Sequence, residues 1–467
     1  MSFFRENLVT EYAGGRWSVI QNRRIFRERV AYSTTGSETL LSVSKHYGVK
    51  AEKDLREDEQ YASIKPAESL VGYKKVYAND LVMNIMRAQN GSYGISGQNG
   101  IVSPAYCVYE PIRDFSTRYV EYLYKTPNMI RAFYANSYGI AEHRRRLYPQ
   151  NFLNMYTVLP PRAEQDQIVR FLDWKVSGIN KMMGAYRREI AMLDEVRQQI
   201  IDRSVIRGLH DEELAHNDDI RWDITYPQHW RIQRIRGSFA FRKGLSITKA
   251  NLEESGIAVI SYGQVHSKSN SGTALNDELI RYVNESYLHT NPTCLVDIGD
   301  FIFADTSEDV AGCGNVAFVD RKDTIFAGYH TIIAHPLYQS DTKYYAYLFR
   351  SPTWRYQIRK KVNGVKVYSI TQKILKDAFI LVPPDEEQRE IVRYLDQQCA
   401  QIDAAISKLE EKISKLQELR SRLIVDVVTG AIDVRSVVIP EYEFVETEND
   451  SDIEDDDTEE DEEDQED

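Results

Sequence analysis

The sequence predicts a mixed α/β protein built from two similar halves, each a globular domain followed by one long helix. Three observations support this prediction. A fourteen-residue block occurs twice, an apolar pattern with the period of a coiled coil follows each copy, and short β-like runs precede each copy. We expect the two long helices to pair as an antiparallel coiled coil and the chain to have a pseudo-two-fold internal repeat.

The repeated block marks the start of each helix. Residues 160–173 return 223 positions later as residues 383–396, with nine of fourteen positions identical. Proline fits the first helical turn, and Glu164 and Glu387 lie near the positive end of the helix dipole. We therefore interpret the block as a structural helix start, with a docking contact for a partner as the alternative. A duplicated scaffold suits a protein that grips two similar ligands better than one with a single catalytic pocket.

Each helix carries a seam of apolar residues at alternating spacings of four and three. Their average spacing of 3.5 residues is the coiled-coil period, whereas a helix lying on a globular core follows about 3.6. Arg197 and Arg420 interrupt the seams at equivalent positions, and we expect them to fix the pairing register or to keep their charged ends at the edge. The seam residues are Ile179, Met183, Tyr186, Ile190, Leu193 and Ile200 in the first helix and Ile402, Ile406, Leu409, Ile413, Leu416 and Leu423 in the second.

Each seam requires a partner helix, and the other copy is the nearest one in the chain. A helix from Glu164 to about Ser204 has a length of about 60 Å at about 1.5 Å per residue, and the second helix matches it. Gly208 and Gly430 follow the two patterns as expected C-terminal stops. Because two equal antiparallel rods would hold the domains at opposite ends, the sequence predicts a spacer.

A weaker repeat extends into the domains before the helices. Trp17 and Trp230 occupy equivalent positions and are expected to anchor the two cores, and runs such as Ile257–Ile260 indicate loop-rich α/β domains. The first and last parts of the two domain sequences match, while their middle parts diverge. This pattern favours two domains with a similar fold and different surfaces. We expect domains at 1–158 and 222–381, spacer helices at 159–208 and 382–435, a linker at 209–221 and an acidic disordered tail at 436–467.

The charge is unevenly distributed along the chain. The 467 residues have a net charge of −13, yet 18 of the 71 acidic residues and none of the 58 Lys and Arg residues lie in residues 441–467. Residues 1–440 therefore hold five more basic than acidic residues. This surplus is too small to prove or exclude binding to a phosphate backbone.

Other features favour a cytoplasmic binding protein over an enzyme. No apolar run approaches the about 18 to 20 residues of a membrane span, and the start of the chain lacks the apolar core of a signal peptide. The four cysteines form no CxxC pair, so we expect buried thiols. The sequence lacks motifs for phosphate-binding loops, dinucleotide binding, zinc proteases and serine hydrolases. We therefore expect no catalytic residue, no metal site and no cofactor in this chain.

Three segments combine side chains typical of nucleic-acid contacts. Residues 86–94 and 262–270 place amides, aromatic rings and cations beside glycines, and residues 143–146 add charge suited to phosphates. Solvated loops without a ligand are the alternative for each segment. The candidate DNA-binding residues are Ser44, Lys45, Arg87, Gln89, Asn90, Ser92, Tyr93, Arg144, Arg145, Arg146, Lys243, Tyr262, Gln264, His266, Lys268 and Asn270.

The repeated Pro-Pro-x-x-Glu-Gln block, placed twice behind two divergent domains, resembles the specificity subunits of type I restriction-modification systems. The resemblance covers about residues 1–435. As a set its motifs are specific, whereas each one alone is weak. Further matches lie at residues 41–44, 103–106, 262–264, 299–300 and 327–330.

The resemblance implies two target-recognition domains that each read one half of a split, asymmetric DNA site, with the paired helices setting the gap between the halves. It implies double-stranded DNA and two modification subunits as partners, and these subunits bind S-adenosylmethionine and methylate adenine. It also implies restriction subunits that translocate and cut DNA, with ATP and Mg expected there rather than on this chain.

Two alternatives stay open: a free-standing bivalent DNA-binding protein or regulator without enzymatic partners, and a scaffold that binds only proteins. The acidic tail departs from the family pattern. Its simplest role is to solubilise the protein, and a sharper hypothesis is that its carboxylates compete with DNA for basic clefts and weaken non-specific binding.

Overall fold

The chain divides into two compact units in a computed structural model. Unit 1 comprises Met1–Arg187 and Glu410–Asp467, and unit 2 comprises Arg188–Leu409. The structure describes residues 16–45, 47–55, 69–139, 145–219, 222–338, 341–364 and 367–445. Within these ranges, every helix is too short or too polar to cross a membrane.

Unit 1 contains ten described strands and four short helices before its first long helix. The strands are β1 (Ser18–Gln21), β2 (Phe26–Glu28), β3 (Leu41–Ser44), β4 (Gly48–Ala51), β5 (Lys74–Val76), β6 (Leu81–Asn84), β7 (Tyr93–Ile95), β8 (Gly100–Val102), β9 (Tyr106–Pro111) and β10 (Tyr156–Leu159). The helices are α1 (Glu52–Leu55), α2 (Thr117–Tyr124), α3 (Pro127–Ala135), α4 (Pro149–Asn154) and the long α5 (Arg162–Arg207).

The centre of unit 1 is an antiparallel four-stranded sheet in the order β2-β9-β6-β7. All four residues of β6 are buried, because both faces of this strand are covered. Leu81 and Met83 pack into the aromatic core with α2, α3 and α4, whereas Val82 points to the opposite face and packs with residues of β3 and β5. This alternation follows the two-residue period of a strand, and burial of both faces explains the continuous apolar run.

Unit 2 repeats this plan with additional strands. Its described strands are β11 (Leu214–Asn217), β12 (Ile224–Pro227), β13 (Arg231–Arg234), β14 (Phe239–Lys243), β15 (Ile257–Ile260), β16 (Arg281–Val283), β17 (Leu295–Val296), β18 (Phe301–Ala304), β19 (Thr306–Ser307), β20 (Val316–Phe318), β21 (Ile325–Ala327), β22 (Thr331–Pro336), β23 (Tyr368–Ser369) and β24 (Phe379–Val382). The helices are α6 (Tyr262–His266), α7 (Tyr287–Thr290), α8 (Lys343–Arg350), α9 (Pro352–Arg359), α10 (Gln372–Lys376) and the long α11 (Asp385–Val428).

The central sheet of unit 2 has the order β14-β22-β18-β20, which matches the sheet of unit 1 strand by strand. Phe301 and Phe303 of β18 pack with α8 and α9, and Ile302 packs on the opposite face. There a second sheet, β16-β15-β21-β17, covers it. The central sheets therefore repeat. The two units differ most on the opposite face of this sheet, where unit 2 has the second sheet and unit 1 has the β3-β4 hairpin and the β5-β8 pair.

The two long helices pack antiparallel, as the sequence predicts. Within unit 1, Arg420 Nη1 donates a hydrogen bond to Asn180 Oδ1 at 3.0 Å, and Lys412 Nζ lies 5.1 Å from the centre of the Tyr186 ring. The partner numbers fall along one helix as they rise along the other, which defines the antiparallel direction. All twelve seam residues are buried or half-buried, while most positions between them are exposed.

Left-handed glycines follow both long helices. Gly208 has a φ of 72° and Gly430 a φ of 77°, a conformation that costs glycine little because it lacks a Cβ. The Gly208 N–H donates to Ser204 O at 3.1 Å and so satisfies a carbonyl of the last turn.

The repeated block has a structural explanation in its glutamines. Gln165 Nε2 donates to Pro160 O and Gln388 Nε2 donates to Pro383 O, both at 2.8 Å, so each side chain folds back on the helix start. In unit 2, Glu387 also accepts hydrogen bonds from Trp230 Nε1 at 2.7 Å and from His229 Nε2 at 2.7 Å. The block therefore ties each domain to its long helix.

A second contact of this kind occurs in both units. Tyr122 Oη donates to Asp173 Oδ1 at 2.7 Å in unit 1, and Tyr347 Oη donates to Asp396 Oδ1 at 2.6 Å in unit 2. The basic residue four positions before each tyrosine contacts the same carboxylate, at 3.3 and 2.8 Å. We call these two contacts the tyrosine clasps.

The chain beyond α11 follows α5 in unit 1. Residues 434–445, which we call the strap, make hydrogen bonds to Gln167, Ser177 and Asn180. The disorder expected from residue 436 onwards therefore does not apply to residues 436–445. Residues 446–467, the rest of the expected tail, lie outside the described residues.

Candidate nucleic-acid interface

The first candidate loop of unit 1 is held by the end of β6. Asn84 Oδ1 accepts a hydrogen bond from Met86 N at 3.1 Å, and Asn84 N donates to Ser92 O at 3.0 Å. Between these contacts the chain forms a single helical turn over Ala88–Asn90 and leaves it through Gly91, which has a φ of 90°. The sheet therefore presents Arg87, Gln89 and Asn90 on a short closed loop.

Three separate segments of unit 1 meet at this loop. A Cβ built on Gly91 lies 3.7 Å from Cβ of Lys45, which places the β3-β4 turn against the loop. Leu147 N donates to Ile85 O at 2.9 Å, which brings the segment with Arg145 and Arg146 to its other end. We define the cationic surface of unit 1 as Lys45, Arg87, Arg145 and Arg146.

The side chains at and around this surface differ in solvent exposure and in their contacts. Lys45, Asn90 and Arg146 are exposed, whereas Ser44, Arg87, Gln89 and Arg145 are half-buried. The Arg145 guanidinium lies 4.4 Å from the centre of the Tyr134 ring. It also donates to Tyr134 O and Ser137 O, each at 3.4 Å, so its orientation is fixed.

The structure corrects the prediction for Tyr93 and Ser92. Tyr93 is 0% exposed, its hydroxyl donates to Tyr124 O at 2.7 Å, and burial raises its pKa. Ser92 is 6% exposed. Neither side chain is on the surface, because the residues after Gly91 have already entered β7 and the core. Arg144 lies outside the described residues.

In unit 2 the second candidate segment forms α6 and the loop after it. Gln264 Oε1 accepts from Ser261 N at 3.1 Å and caps the helix. Asn270 Nδ2 donates to Val265 O at 2.7 Å and to Val316 O at 3.0 Å, and its Oδ1 accepts from Gly272 N at 3.0 Å. Asn270 therefore holds the loop in place, and its contact with a base stays a prediction.

The His266 ring is held by contacts within unit 2. Its Nε2 lies 2.8 Å from Thr306 O, and its Nδ1 lies 3.0 Å from Asn315 Nδ2. The orientation of the Asn315 amide follows from Arg355 Nη1, which donates to Asn315 Oδ1 at 2.7 Å. A carbonyl accepts and an amide nitrogen donates, so this arrangement suits Nε2 as the donor and Nδ1 as the acceptor. Both ring nitrogens are thus engaged inside the unit.

Tyr262 remains a good candidate and has aromatic neighbours that the sequence reading did not select. Its ring centre lies 5.6 Å from that of Tyr329 and 5.5 Å from that of His330. His330 has a φ of 54°, which projects its ring at the end of the tight turn before β22. Residues 327–330 belong to the motifs that carry the family resemblance. Within them, the adjacent aromatic residues Tyr329 and His330 after Gly328 are the sequence signal for this cluster.

A cavity of about 480 Å³ opens beside this cluster. Its lining includes Tyr262, His266, Asn315 and the exposed acidic residues Glu308 and Asp309. The loop with these two carboxylates follows β18, as the loop with Arg87 follows β6 in unit 1. The same position in the frame is therefore cationic in unit 1 and acidic in unit 2. Lys243 and Lys268 are the exposed cations among the candidates in unit 2.

Below these loops, both units contain an equivalent ion pair between a partly exposed arginine and a buried aspartate. Arg29 donates to both carboxylate oxygens of Asp80, at 2.7 and 3.0 Å, and Arg242 Nη2 donates to Asp300 Oδ2 at 3.3 Å. The residues before the two aspartates, Asn79 and Gly299, both have positive φ, at 73° and 93°. The same turn thus begins β6 and β18.

Asp300 also belongs to a group of possible metal ligands with Asp297 and His335. Its Oδ1 accepts from His335 Nδ1 at 2.6 Å, and its Oδ2 accepts from Asp297 N at 3.0 Å in addition to Arg242. Burial raises the pKa of Asp300. Because both oxygens are used by protein donors, this group orders the turn and does not fit a cation.

The family model for the type I restriction modification DNA specificity domain matches residues 227–415. The specificity subunit of the type I restriction enzyme MjaVIII from Methanocaldococcus jannaschii is 19% identical over 247 residues, which covers 52% of this chain and 55% of that protein. The specificity subunit of EcoKI from Escherichia coli K12 is 26% identical over 265 residues, which covers 55% of this chain and 53% of that protein. The chain thus aligns with about half the length of these relatives.

A solved structure that concerns complex assembly and conformational transition of the type I R-M system contains a chain with the same fold. The TM-score is 0.60 at 15% identity, with 89% of this chain and 98% of that chain covered. The predicted fold class, a mixed α/β chain with two domains joined by an antiparallel coiled coil, is confirmed.

Proposed function

We propose that the chain is a specificity subunit of the type I restriction-modification family, and that it recognises a split, asymmetric DNA site and directs partner subunits to it. Two domains, expected at 1–158 and 222–381, would each read one half of the site. The chain itself would carry no catalytic group or cofactor.

The observation that carries this proposal is that both units have the same central sheet, whereas the loops after β6 and β18 differ. Arg29–Asp80 and Arg242–Asp300 fix equivalent turns, and the next loop is cationic in unit 1 and acidic in unit 2. A protein that read two identical half-sites would need two identical loops. Different loops on a repeated frame suit a site with two different halves.

In unit 1, we assign phosphate contacts to Lys45, Arg145 and Arg146 and base contacts to Arg87 and Asn90. Arginine pairs well with guanine and asparagine with adenine in the major groove, whereas cations on phosphates position the protein without reading sequence. In unit 2, Lys243 and Lys268 would contact phosphates, and Tyr262 and Gln264 would face the bases. A carboxylate such as that of Glu308 accepts hydrogen bonds from the amino group of cytosine.

We further propose that the paired helices set the gap between the half-sites. Insertion of two heptads into both α5 and α11 lengthens the spacer by about 21 Å. This equals roughly six base pairs at about 3.4 Å each. The preferred gap should widen by that amount while both half-sites stay the same. Altered half-sites with an unchanged gap would contradict the spacer.

The partners in this proposal are double-stranded DNA, two modification subunits and restriction subunits. The modification subunits would bind S-adenosylmethionine and methylate adenine, and ATP and Mg would act at the restriction subunits. The long helices and the adjacent domain edges would form the docking surface for the modification subunits.

The direct test is a map of methylated adenine in cells that contain the chain and its modification subunits. We expect one split sequence, and we expect Asn90→Ala to relax one half of it only. Asn276→Ala, at an exposed position of unit 2 outside the candidate loops, is the matched control and should leave the map unchanged. Sequence-selective DNA binding without any associated methylation would favour the free-standing bivalent protein instead.

A further inference from the structure

The strap is bound to α5 mainly through its backbone. Gln167 Nε2 donates to Val434 O at 3.0 Å and to Val437 O at 2.8 Å. Farther along the helix, Ser177 Oγ donates to Glu443 O at 2.8 Å and accepts from Val445 N at 2.7 Å. These contacts leave Ser177 only 2% exposed.

The last described residue of the strap is therefore fixed on unit 1. Asn180 Nδ2 donates to Val445 O at 3.1 Å, and Val434 is 2% exposed in the core of the unit. Whatever follows Val445 starts from this point of α5. Unit 1 is also the unit that holds the cationic surface.

The segment that follows is strongly acidic. Residues 446–467 contain 16 Asp and Glu residues and no Lys or Arg. Twenty-two residues reach at most about 75 Å when fully extended. A compact body with the length of unit 1 has a radius of gyration of about 18 Å. Fully extended, the chain after Val445 is thus longer than the diameter of such a body.

The cationic surface lacks acidic partners at most of its positions. Lys45 and Arg146 make no ion pair with a described residue, and Arg145 contacts an aromatic ring and two carbonyl groups. Several other exposed cations of unit 1 do have acidic partners, as Arg27 does with Glu110 at 2.6 Å. This leaves net positive charge where the three segments meet.

We propose that residues 446–467 bind the cationic surface of unit 1 and compete there with the DNA backbone. The idea rests on the proposed function, because it assumes that this surface meets DNA. Since the competitor is part of the same chain, it acts at high effective concentration. DNA with the specific site makes additional base contacts and therefore displaces residues 446–467. Non-specific DNA is held by charge alone and displaces them poorly.

The test compares the full-length chain with a full-length variant in which all 16 acidic residues of 446–467 are changed to Asn or Gln. The variant keeps the length of the chain and every described contact. At low salt we expect it to bind random-sequence duplex DNA about tenfold more tightly. The plot of log affinity against log salt should also be steeper by about 0.9 for each cation released from the tail.

A second pair of variants locates the effect. In a chain with Lys45→Gln, Arg145→Gln and Arg146→Gln, neutralising residues 446–467 should no longer change the affinity. The matched control, Arg27→Gln, should keep the full difference. Equal affinities and slopes for the two original chains would overturn the proposal, and so would a difference that persists in the triple variant. If neither original chain binds DNA, the proposed function fails as well.

Discussion

Arg197 of α5 donates a hydrogen bond from Nη1 to Asp403 Oδ1 of α11, at 2.5 Å. Shifting both residues by the repeat length of 223 converts this pair into Arg420 and Asn180, which are in contact in unit 1 at 3.0 Å. The same contact is therefore made twice with the roles of the helices exchanged. A slip of either helix would break both contacts, so the two arginines favour this register of the coiled coil.

Double-mutant cycles to alanine should give coupling free energies of about 0.5–1 kcal/mol for each pair at low salt. The Arg197–Asp403 coupling should fall in about 1 M salt because Asp403 is charged and largely exposed. The Arg420–Asn180 coupling should persist because the acceptor is neutral and buried. Urea unfolding followed by helical circular dichroism measures both. Equal salt sensitivity of the two couplings would contradict this assignment.

The tyrosine clasps should differ in strength. Burial raises the pKa of Tyr122 and of Tyr347, so both hydroxyls stay protonated and donate. Tyr122→Phe should cost about 2 kcal/mol, and Tyr347→Phe about 1 kcal/mol, because the side chain of Asp173 is 20% exposed and that of Asp396 is 41% exposed. Tyr338→Phe, at an exposed tyrosine, is the control for urea unfolding and should have little effect. If Tyr347→Phe destabilised the protein more than Tyr122→Phe, exposure of the aspartate would not determine the strength of the clasps.

Two substitutions near the cationic surface should separate stability from recognition. Tyr93→Phe leaves Tyr124 O without its buried donor and should lower the free energy of unfolding by about 1 kcal/mol without a change of DNA target. Asn90→Ala, at an exposed side chain, should change the target and leave stability within about 0.5 kcal/mol. Unfolding curves and methylation maps of the same two variants test this. An altered DNA target of the Tyr93→Phe variant would show that Tyr93 takes part in recognition.

Glu38 should contribute to stability in a defined pH window. Its hydrogen bond from Ser33 lowers its pKa from 4.5 to about 2. A carboxylate with a lowered pKa in the folded state stabilises the fold above its unfolded pKa and loses this effect as the pH falls through its folded pKa. The wild type should therefore be more stable than Glu38→Gln at pH 6, and the difference should shrink between pH 4.5 and about 2. The urea midpoints of the two proteins across this range decide the matter. A difference that does not change with pH would contradict it.

The helices were predictable because their signals are local. The expected first helix, from Glu164 to about Ser204, lies within the observed Arg162–Arg207, and Gly208 ends it as expected. The runs at Ile257–Ile260 and Phe301–Ala304 are strands. A heptad seam, a proline start and a glycine stop all lie within a few residues of one another, so the chain specifies them without its distant parts.

The interface was less predictable because exposure depends on distant residues. Tyr93 appeared to belong to a surface loop, and its burial depends on Tyr124 and Phe133, which lie more than thirty positions later. His266 appeared free, and its two nitrogens are engaged by Thr306 and Asn315. Composition selected the candidate loops and could not separate the side chains that face solvent from those that hold the loop.

By itself the sequence determined the duplication, the fold class and the two long helices, because a repeat and a heptad pattern are properties of the chain order. Only the tertiary structure decided that Lys45, Arg87 and Arg145 meet on one surface and that the strap returns to α5. It also decided that the equivalent loop of unit 2 is acidic beside an aromatic cluster. These relations join residues that are far apart in the sequence, and packing within each unit brings them together.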